Sequence, residues 1–577
     1  MQTKEMFQFK GIRNDVGKKF VPEDFFYEVS NINQDDIAGA NKTLCPSIIS
    51  LVDINNPIDG LFQYSYLRSN TSSFSNETIQ TIVNTELIVC GGKLYKNKNV
   101  PELIYSGFQK GKCQFTILND KVFIVNGKDY IKIYNGSTNI VTEMGAPEAI
   151  VQNEASPLDG TYYYAMTYVT AGGEEVLGTV SNIVSPNQEK VLLNIPIGYA
   201  GTLQRKIYRT EVNGTTLKLL VTIANNTDLT YLDDTADSSL GAEIPAINNE
   251  CPKPKYITTS STFKLVAAGD KKFPSQAYVS DTNVEILDKA NFTDISNRGV
   301  DNSPIVGISD DYDQIIIGTK KQIYFVNTSE TVTTVTVTRA NIGVLDGFSM
   351  VKMPSNSGFA GGVMFVASDR TVRVMNGNYS DPVPTSLDNI KTENWAQTIR
   401  GSLSNALGSY QNIHAEYYDY KYHLVIDSKI YVYDTRLLGW HLLEFRTENN
   451  LCTPNLLVNF DDEALYIGKR NNGYIEKMYS DTLYIGDDLP AYIKFPYWAV
   501  SEDLKFFREL HIYYLKQSEL DIQVNINVGD NTNSVINEAV NEVTTQVFSS
   551  DDYDSNYYET GSIREDYKVI YLNKYGT

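Results

Sequence analysis

The side chains that usually perform catalysis or bind metals are sparse in this sequence, and they form no familiar constellation. The chain of 577 residues contains four histidines, His414, His423, His441 and His511. It contains no His-x-His pair, no His-Glu-x-x-His motif, no glycine-rich phosphate loop and no Gly-x-Ser-x-Gly nucleophile turn. Because His414 and His423 fall in a tyrosine-rich strand pattern, we expect the histidines to be hydrogen-bonded structural residues.

Three acidic clusters are the other candidates for chemistry. They are Asp310-Asp311-Tyr312-Asp313 before an apolar run, Asp233-Asp234 in a turn pattern, and Asp461-Asp462-Glu463 in another. Paired carboxylates can hydrolyse glycosidic bonds, and loop carboxylates can bind Ca²⁺. Aspartate also dominates turns, because its side chain bonds to nearby backbone. We favour the turn interpretation and expect no catalytic, cofactor-binding or metal-binding residues, no cofactor and no enzymatic activity.

The cysteines indicate a chain without disulfides. Cys45, Cys90, Cys113, Cys251 and Cys452 are scattered and include no Cys-x-x-Cys pair. An odd, widely spaced set is poor evidence for a disulfide framework or a zinc site, so we expect reduced thiols and assembly in a cytoplasm. The N-terminal residues have no apolar signal core, and no stretch approaches the ~18 apolar residues of a bilayer span, so we expect no membrane segment.

The charge balance limits the classes of partner. The formal net charge is -21 and the sequence pI is about 4.7. A body this acidic repels nucleic acid on average, which argues against a protein that grips phosphates. The same charge suits a protein that lets DNA pass without binding it, although solubility alone is the simpler explanation.

Repeated β-hairpins are the elements that must position these residues. Residues 312–328 place apolar runs at 315–317 and 323–326 around a polar turn, and residues 362–377 repeat this pattern. Such runs of β-branched and aromatic residues predict hairpins. Similar units recur before residue 145 and after residue 255, at a spacing of ~40–50 residues that is typical of propeller blades.

We therefore predict a mainly β fold, with a β-propeller-like body of repeated hairpins and an inserted fibronectin- or immunoglobulin-like β-sandwich. About seven short strands within ~100 residues are the size and rhythm of such a sandwich. The predicted organisation is an N-terminal extended arm at 1–60, first propeller hairpins at 61–146, the sandwich at 147–250, the remaining blades at 251–484, and C-terminal strands with an acidic, tyrosine-rich segment at 485–577.

Two points stay open at this level. No blade signature such as a Trp-Asp dipeptide recurs, so two ordinary sandwiches or a barrel remain alternatives to the propeller. Helices are expected only around 389–407, 501–509 and 534–542.

The most specific pattern in the chain lies within the predicted sandwich. A Gly160-Thr-Tyr-Tyr strand is followed by a Gly172-Gly-Glu turn, an Arg205-Lys-Ile-Tyr-Arg-Thr strand and a closing Tyr231-Leu-Asp. This order of four parts resembles a segment common in tail proteins of short-tailed bacteriophages. Fibronectin-like segments of this kind also occur in other phage and bacterial surface proteins.

Further stretches resemble the same family, the tail nozzle (tail tubular protein B) or tail hub and stabilization proteins of podoviruses or crAss-like phages. They are the Asn-rich start at 31–46, the strand at 57–66, the strand pair at 343–353 and 362–377, and the strand at 433–445 with Trp440. The resemblance covers about 60–480 loosely, motif by motif. The high Asn and Tyr content would suit a phage of an AT-rich host.

The resemblance implies a structural virion protein of the phage tail, assembled in the host cytoplasm. It implies a homohexameric ring below the portal and adaptor rings that contacts other tail proteins, retains packaged DNA and conducts double-stranded DNA during ejection without sequence-specific binding. Such a cyclic ring uses interfaces that close by rotation. We expect the N-terminal arm and the tyrosine-rich C-terminal strip to supply contacts between subunits, because tyrosine is enriched in interfaces.

Two other functions stay open. One is a carbohydrate-binding adhesin or receptor-binding tail protein that uses the propeller and sandwich to bind glycans. The other is a propeller glycosidase or depolymerase that uses the region of Asp310 to Asp313.

Overall fold

The architecture was derived from a computed structural model. It describes residues 12–13, 22, 25–30, 32–34, 40–42, 46–71, 78–289, 291–296, 303–311, 314–328, 334–337, 342–356, 359, 361–375, 399–444, 446–447, 450–451, 454–460, 464–480, 492–494, 505–516, 522–526, 536–540 and 564–576. Contacts divide the chain into two units, Met1–Pro496 and Tyr497–Thr577. Each unit is described by itself.

The first unit begins with four short strands and two four-stranded antiparallel sheets. The initial strands are β1 (Glu28–Ser30), β2 (Ile32–Gln34), β3 (Ala40–Lys42) and β4 (Ser47–Leu51). Blade 1 contains β5 (Ile58–Thr71), β6 (Thr78–Cys90), β7 (Lys93–Lys96) and β8 (Glu102–Ser106). Blade 2 contains β9 (Gln114–Leu118), β10 (Lys121–Val125), β11 (Lys132–Asn135) and β12 (Ile140–Glu143).

A β-sandwich follows blade 2, as predicted. Its strands are β13 (Glu148–Asp159), β14 (Tyr164–Thr170), β15 (Gly173–Val176), β16 (Asn187–Asn194), β17 (Gln204–Thr210), β18 (Leu217–Ile223) and β19 (Thr230–Asp233). They form two antiparallel sheets, ordered β13-β16-β19 and β15-β14-β17-β18. Inward side chains of both sheets, such as Tyr164, Met166, Val191 and Leu193, are buried in one core.

Five further blades complete the propeller. Blade 3 contains β20 (Tyr256–Thr259), β21 (Leu265–Ala268), β22 (Gln276–Val279) and β23 (Phe292–Asp294), and blade 4 contains β24 (Ile305–Asp311), β25 (Gln314–Thr319), β26 (Ile323–Asn327) and β27 (Thr334–Val337). Blade 5 contains β28 (Val351–Met353), β29 (Gly362–Val366) and β30 (Val372–Met375), and helix α1 (Arg400–Gly408) follows it. Blade 6 contains β31 (Ile413–Tyr418), β32 (Lys421–Ile426), β33 (Lys429–Asp434) and β34 (Gly439–Leu443), and a small hairpin, β35 (Arg446–Thr447) with β36 (Asn450–Leu451), follows it. Blade 7 contains β37 (Pro454–Phe460), β38 (Ala464–Lys469) and β39 (Tyr474–Lys477).

The seven sheets form a closed β-propeller, which confirms the predicted fold class. The innermost strand of each blade packs on that of the next, in the order β5, β9, β20, β24, β28, β31 and β37, and β37 packs back on β5. The fourth strand of blade 7 is β4, which comes from the other end of the propeller sequence and pairs antiparallel with β39. The pairing of β4 with β39 closes the ring and places blades 1 and 7 side by side.

Both faces of a blade are buried, which explains the uninterrupted apolar runs in the sequence. In β25, Ile315 and Ile317 enter the core shared with blade 3, whereas Ile316 enters the core shared with blade 5. A strand with only one buried face would alternate apolar and polar residues. The turns fit as well: Gly91 and Gly92 adopt φ values of 60° and 81° in the tight connection from β6 to β7.

The described parts of the N-terminal arm pack onto the propeller of their own chain. Ile12, Phe26 and Val29 lie in the core of blades 5 and 6. The backbone N–H of Ile12 donates to the carbonyl of Trp440, 2.9 Å away. Strand β1 pairs with β40 (Tyr492–Lys494), a strand that follows blade 7.

The second unit contains β41 (Lys505–Lys516), β42 (Ile522–Ile526), β43 (Ile536–Val540) and β44 (Arg564–Gly576), with β41 paired to β44 and β42 paired to β43. The helices predicted at 501–509 and 534–542 are therefore wrong, because the described residues of both segments are strands. Cross-strand pairing overrides the weak helical pattern there. Helix α1 matches the end of the helix predicted at 389–407, and 389–398 lie outside the described residues. No helix among the described residues is long and apolar enough to cross a membrane.

Candidate functional site

In each blade, the segment that leads into the innermost strand and the turn between the second and third strands lie at the same end of the propeller. We call this end the entry face. Side chains from these segments meet at its centre, which we call the mouth. The mouth is the candidate site, because it is where polar groups from several blades converge.

Lys112 crosses the mouth. It precedes β9 of blade 2, and its Nζ donates to Asn412 Oδ1 at 2.9 Å and to the carbonyl of Ile413 at 2.8 Å, both at the start of blade 6. Blades 2 and 6 are not neighbours in the ring, so this side chain spans the central opening. Burial lowers the pKa of Lys112 to about 7, because the charged ammonium is desolvated there.

Phe348 lies in the same opening and serves as its plug. It lies in a single 3-10 turn, Gly347–Ser349, where Asp346 Oδ1 accepts from the Phe348 N–H at 3.0 Å. Its ring centre lies 5.9 Å from that of Tyr256 and 6.2 Å from that of His414, and the Lys112 ammonium sits 4.8 Å above it. The turn can approach this closely only with glycine at 347, since a Cβ there would lie 2.4 Å from the Val306 carbonyl oxygen.

Two asparagines connect the last blades to the first. Asn412 Nδ2 donates to the carbonyls of Pro454 and Asn455, each at 3.0 Å, and Asn455 Nδ2 donates to the carbonyl of Ile58 at 2.6 Å. These bonds tie blades 6, 7 and 1 together. The mouth is therefore occupied by the chain's own hydrogen-bonded groups, which join blades across the centre of the ring.

Asp59 is the unusual titratable group beside the mouth. Its side chain is 5% exposed, and its Oδ2 has no hydrogen-bond partner in the described part of the chain. Burial raises the pKa of Asp59 to about 6, opposed by a hydrogen bond from the Gly111 N–H and by nearby lysines, Lys128 foremost. The group can therefore hold a proton at weakly acidic pH.

The described histidine side chains, those of His414, His423 and His441, pack within the propeller. His414 Nε2 contacts the carbonyl of Leu457 at 2.9 Å, and His423 Nε2 contacts the hydroxyl of Tyr479 at 2.9 Å. Burial lowers the pKa of both well below the usual range and lowers that of His441 to about 3. All three are therefore neutral at physiological pH. His511 lies in β41, and its side chain is outside the described part.

The acidic clusters do not assemble a pair of free carboxylates in the described residues. Asp310 accepts from Lys352 Nζ at 3.1 Å, Asp311 is buried in β24, and Asp313 lies outside the described residues. The cluster at 461–463 also lies outside them. No group of three or more metal-binding side chains is present among the residues described, and Cys90, Cys113 and Cys251 are buried free thiols. Cys45 and Cys452 are not among those residues.

The sandwich pattern that carries the family resemblance forms a buried ion pair. Arg209 donates to Asp233 Oδ2 at 2.7 Å, to the Thr235 carbonyl at 2.8 Å and to Asp237 Oδ1 at 2.7 Å. Tyr164 donates its hydroxyl to the same Asp233 oxygen at 3.0 Å. The tyrosine strand, the arginine strand and the closing aspartate thus meet in one place, and their role there is structural.

The rim of the entry face is basic. Its exposed cationic side chains are Lys110, Lys128, Lys271, Lys272, Lys320, Lys321 and Arg370. Most acidic residues on this face hold turns instead. Asp270 Oδ2 accepts from the Lys253 N–H at 2.8 Å, and Asp427 Oδ1 accepts from the N–H groups of Gln411 and Asn412 at 3.0 and 2.9 Å. The face thus presents positive charge on a chain whose net charge is -21.

Comparisons with known proteins show only distant likeness. No family model matches the chain, and no curated protein matches it. Among solved structures, the chain is similar to the C-terminal WD40 domain of Sif2, with 9% identity over 76% of this chain and 99% of that one and a TM-score of 0.28. It is similar to the Pan2 WD40 domain of Neurospora crassa, with 11% identity over 51% of this chain and 87% of that one and a TM-score of 0.24. Likeness at this level assigns no function, and the propeller is established by its seven sheets and closed ring.

Sequence reasoning missed the residues of the mouth. Lys112, Phe348 and Asn412 stand just before innermost strands, but they share no motif and come from three different blades. They lie at the same end of the propeller because each precedes the first strand of its blade. A polar or aromatic residue directly before the first strand of each repeat is the signal that could have drawn attention to them.

Proposed function

We propose that this protein is a structural component of a short-tailed phage tail, a nozzle or hub subunit that forms a ring extending the portal channel. The observation that carries the proposal is the sandwich pattern at 160–233, which resembles that of tail proteins and closes on the buried Arg209–Asp233 pair. The ring would be a homohexamer that contacts portal and adaptor proteins, belongs to the virion, and retains and then conducts DNA.

The closed mouth supports a conduit formed between subunits. Lys112 and Phe348 fill the centre of the propeller, so a duplex could not pass through a single subunit. A DNA channel would have to run along the axis of the assembled ring. This is the arrangement that a cyclic oligomer with heterologous interfaces produces.

The histidines and the acidic clusters also favour a non-enzymatic role. Each described histidine is buried or bonded and held neutral, and Asp310 is paired with Lys352. A general acid or base needs access to substrate as well as a pKa near the working pH. Lys112 and Asp59 have pKa values of about 7 and about 6, but Lys112 is bonded to Asn412 and Ile413, and Asp59 is buried. No observation favours the adhesin or the depolymerase over the tail component.

Electron microscopy of the purified chain, alone and mixed with a portal–adaptor complex, tests the proposal. We expect a six-fold ring with a central opening of ~20–40 Å, which admits a duplex. A chain that stays monomeric in both samples and is missing from purified virions would refute the proposal. Saturable glycan binding by that monomer would favour the adhesin.

A further inference from the structure

The entry face and the sandwich carry opposite charge. The exposed lysines and arginine of the rim project from turns, whereas most neighbouring carboxylates are bonded to backbone within those turns. Asp369, the exposed acid of the rim, is bonded to Arg373 at 2.7 Å. The outward groups are therefore mainly cations.

The far end of the sandwich is acidic. Strand β13 leaves the propeller at Glu148 and ends at Asp159, so the turns near Asp159 lie at the end opposite the attachment. Exposed acidic side chains collect there, namely Asp159, Glu211, Asp234 and Glu243. We call this end the acidic tip.

The cations of the sandwich neutralise only one of these four carboxylates, that of Glu211. Lys218 is paired with Glu211 at 2.7 Å, Lys190 with Glu154 at 3.0 Å, and Lys206 with Glu174. Arg205 and Arg209 have no exposed surface. These are all the lysines and arginines between residues 148 and 250, so the acidic excess at the tip faces solvent.

We propose that the entry face of one copy binds the acidic tip of the sandwich of the next copy. The partner is a second copy of this chain, because the complementary surface is on the same molecule. Two entry faces would repel each other, as would two acidic tips, so a symmetric two-fold contact between like surfaces is disfavoured. A contact between two different surfaces repeats from subunit to subunit and closes into a ring when the rotation allows.

This inference rests on the proposed ring but names its interface. Duplex DNA is the other polyanion that a basic face could bind. The second copy is favoured because this chain supplies a matching acidic surface at the end of a projecting domain. Complementary charge of this kind mainly sets the association rate and the choice of partner.

Charge reversal tests the interface in the full chain. The first variant carries Lys271→Glu, Lys320→Glu and Arg370→Glu on the rim. A matched control carries Lys121→Glu, Lys264→Glu and Arg436→Glu, which lie at the opposite end of the propeller and change the net charge equally. Sedimentation at ~50 and ~500 mM salt measures association, since screening at the higher salt weakens exposed charge pairs. Thermal unfolding checks that each variant is folded.

We expect the wild type to associate at low salt and to dissociate as salt rises. The rim variant should bind itself about tenfold or more weakly, and the control should match the wild type. A third variant, with Asp159→Lys, Asp234→Lys and Glu243→Lys, should lose self-association alone but associate with the rim variant. Equal loss in rim and control variants, no rescue in the mixture, or a monomeric wild type at all salt concentrations would overturn the inference.

Zero-length cross-linking of lysines to carboxylates separates this inference from the proposed function. A six-fold ring whose cross-links join other surfaces would refute the interface and leave the nozzle proposal intact. Cross-links from rim to tip in an assembly without six-fold symmetry would support the interface and count against the nozzle. Binding of a duplex fragment that the rim variant alone abolishes, with self-association unchanged, would assign the face to DNA instead.

Discussion

Arg209 and Asp233 form an ion pair at 2.7 Å in which neither side chain has exposed surface. The guanidinium also reaches the Thr235 carbonyl and Asp237, and Asp233 also accepts from the Tyr164 hydroxyl. Removing two such charges from water is costly, and the cost is offset only when the remaining donors and acceptors are bonded. The sandwich meets that condition with residues from three strands.

Loss of one partner of this pair should destabilise the sandwich strongly. Asp233→Ala leaves the Arg209 charge buried without its counter-ion, which is expected to cost about 3–5 kcal/mol of unfolding free energy. The adjacent Asp234 is exposed, so Asp234→Ala should change stability by about 0.5 kcal/mol or less. Denaturant unfolding followed by tyrosine near-ultraviolet circular dichroism compares the two. Similar midpoints would show that the pair contributes little.

Removal of the plug should weaken the propeller without abolishing its fold. Phe348→Ala leaves a gap among Tyr256, His414 and Lys112, and we expect a loss of about 2–3 kcal/mol, below the range for a fully buried phenylalanine. Phe263 is 59% exposed in a turn, so Phe263→Ala serves as the control. Amide hydrogen exchange in β20 and β31 provides the local measurement. Unchanged exchange in the Phe348 variant would contradict a locking role.

Acid should destabilise the propeller through its buried histidines. The pKa of His441 falls from 6.5 to about 3 in the fold, so the unfolded chain takes up a proton more readily below pH 6.5. The contribution of the neutral His441 side chain to the unfolding free energy is complete above pH 6.5. It is lost as pH falls towards 3, with about 2 kcal/mol lost at pH 5. His441→Gln should remove that part of the slope of stability between pH 7.5 and pH 5. An unchanged slope would show that His441 titrates normally.

Asp59 should act in the opposite sense. Its pKa rises from 3.8 to about 6 on folding, so its contribution is complete below pH 3.8 and is lost as pH rises through 6. The shift corresponds to a loss of about 3 kcal/mol of unfolding free energy once the pH is above 6. Asp59→Asn should therefore stabilise the protein at pH 8 but not at pH 4, as measured by unfolding at both values. A variant that is less stable at pH 8 would indicate that the ionised carboxylate has a partner.

Deletion of the closing strand should open the ring locally. Without residues 1–51, strand β39 loses its partner β4, and the pairs Tyr474–Leu51 and Ile475–Ser50 are lost. We expect fast amide exchange at 474–477 and a lower unfolding temperature. Deletion of residues 1–46 is the matched control, because it removes the same N-terminal arm but keeps β4. Equal protection of β39 in both proteins would refute the role of β4.

The hairpins and the sandwich could be predicted because their signals are local. Apolar runs with intervening turns, such as 315–317 and 323–326, identify strands buried on both faces. The Asn213-Gly214 turn between β17 and β18 is equally visible in the sequence. These features depend on neighbours a few residues apart, which the sequence displays directly.

The mouth and the ring closure could not be predicted, because they depend on partners far apart in sequence. Lys112 is bonded to Asn412 and Ile413, and nothing near Lys112 indicates that blade 6 lies opposite. Strand β4 pairs with β39 only once the number of blades is fixed. The wrong helix at 534–542 has a different origin, since pairing with the preceding strand β42 outweighs the weak helical pattern of β43.

The position of β4 in blade 7 also has a consequence for synthesis on the ribosome. Strand β4 emerges near the beginning of translation, but its partner β39 emerges only after blades 1 to 6 have all been made. The nascent chain must therefore keep β4 unpaired until residues 474–477 have been made, and the propeller can close only after that point. A stall or truncation before residue 474 leaves β4 without its partner and the ring of blades open.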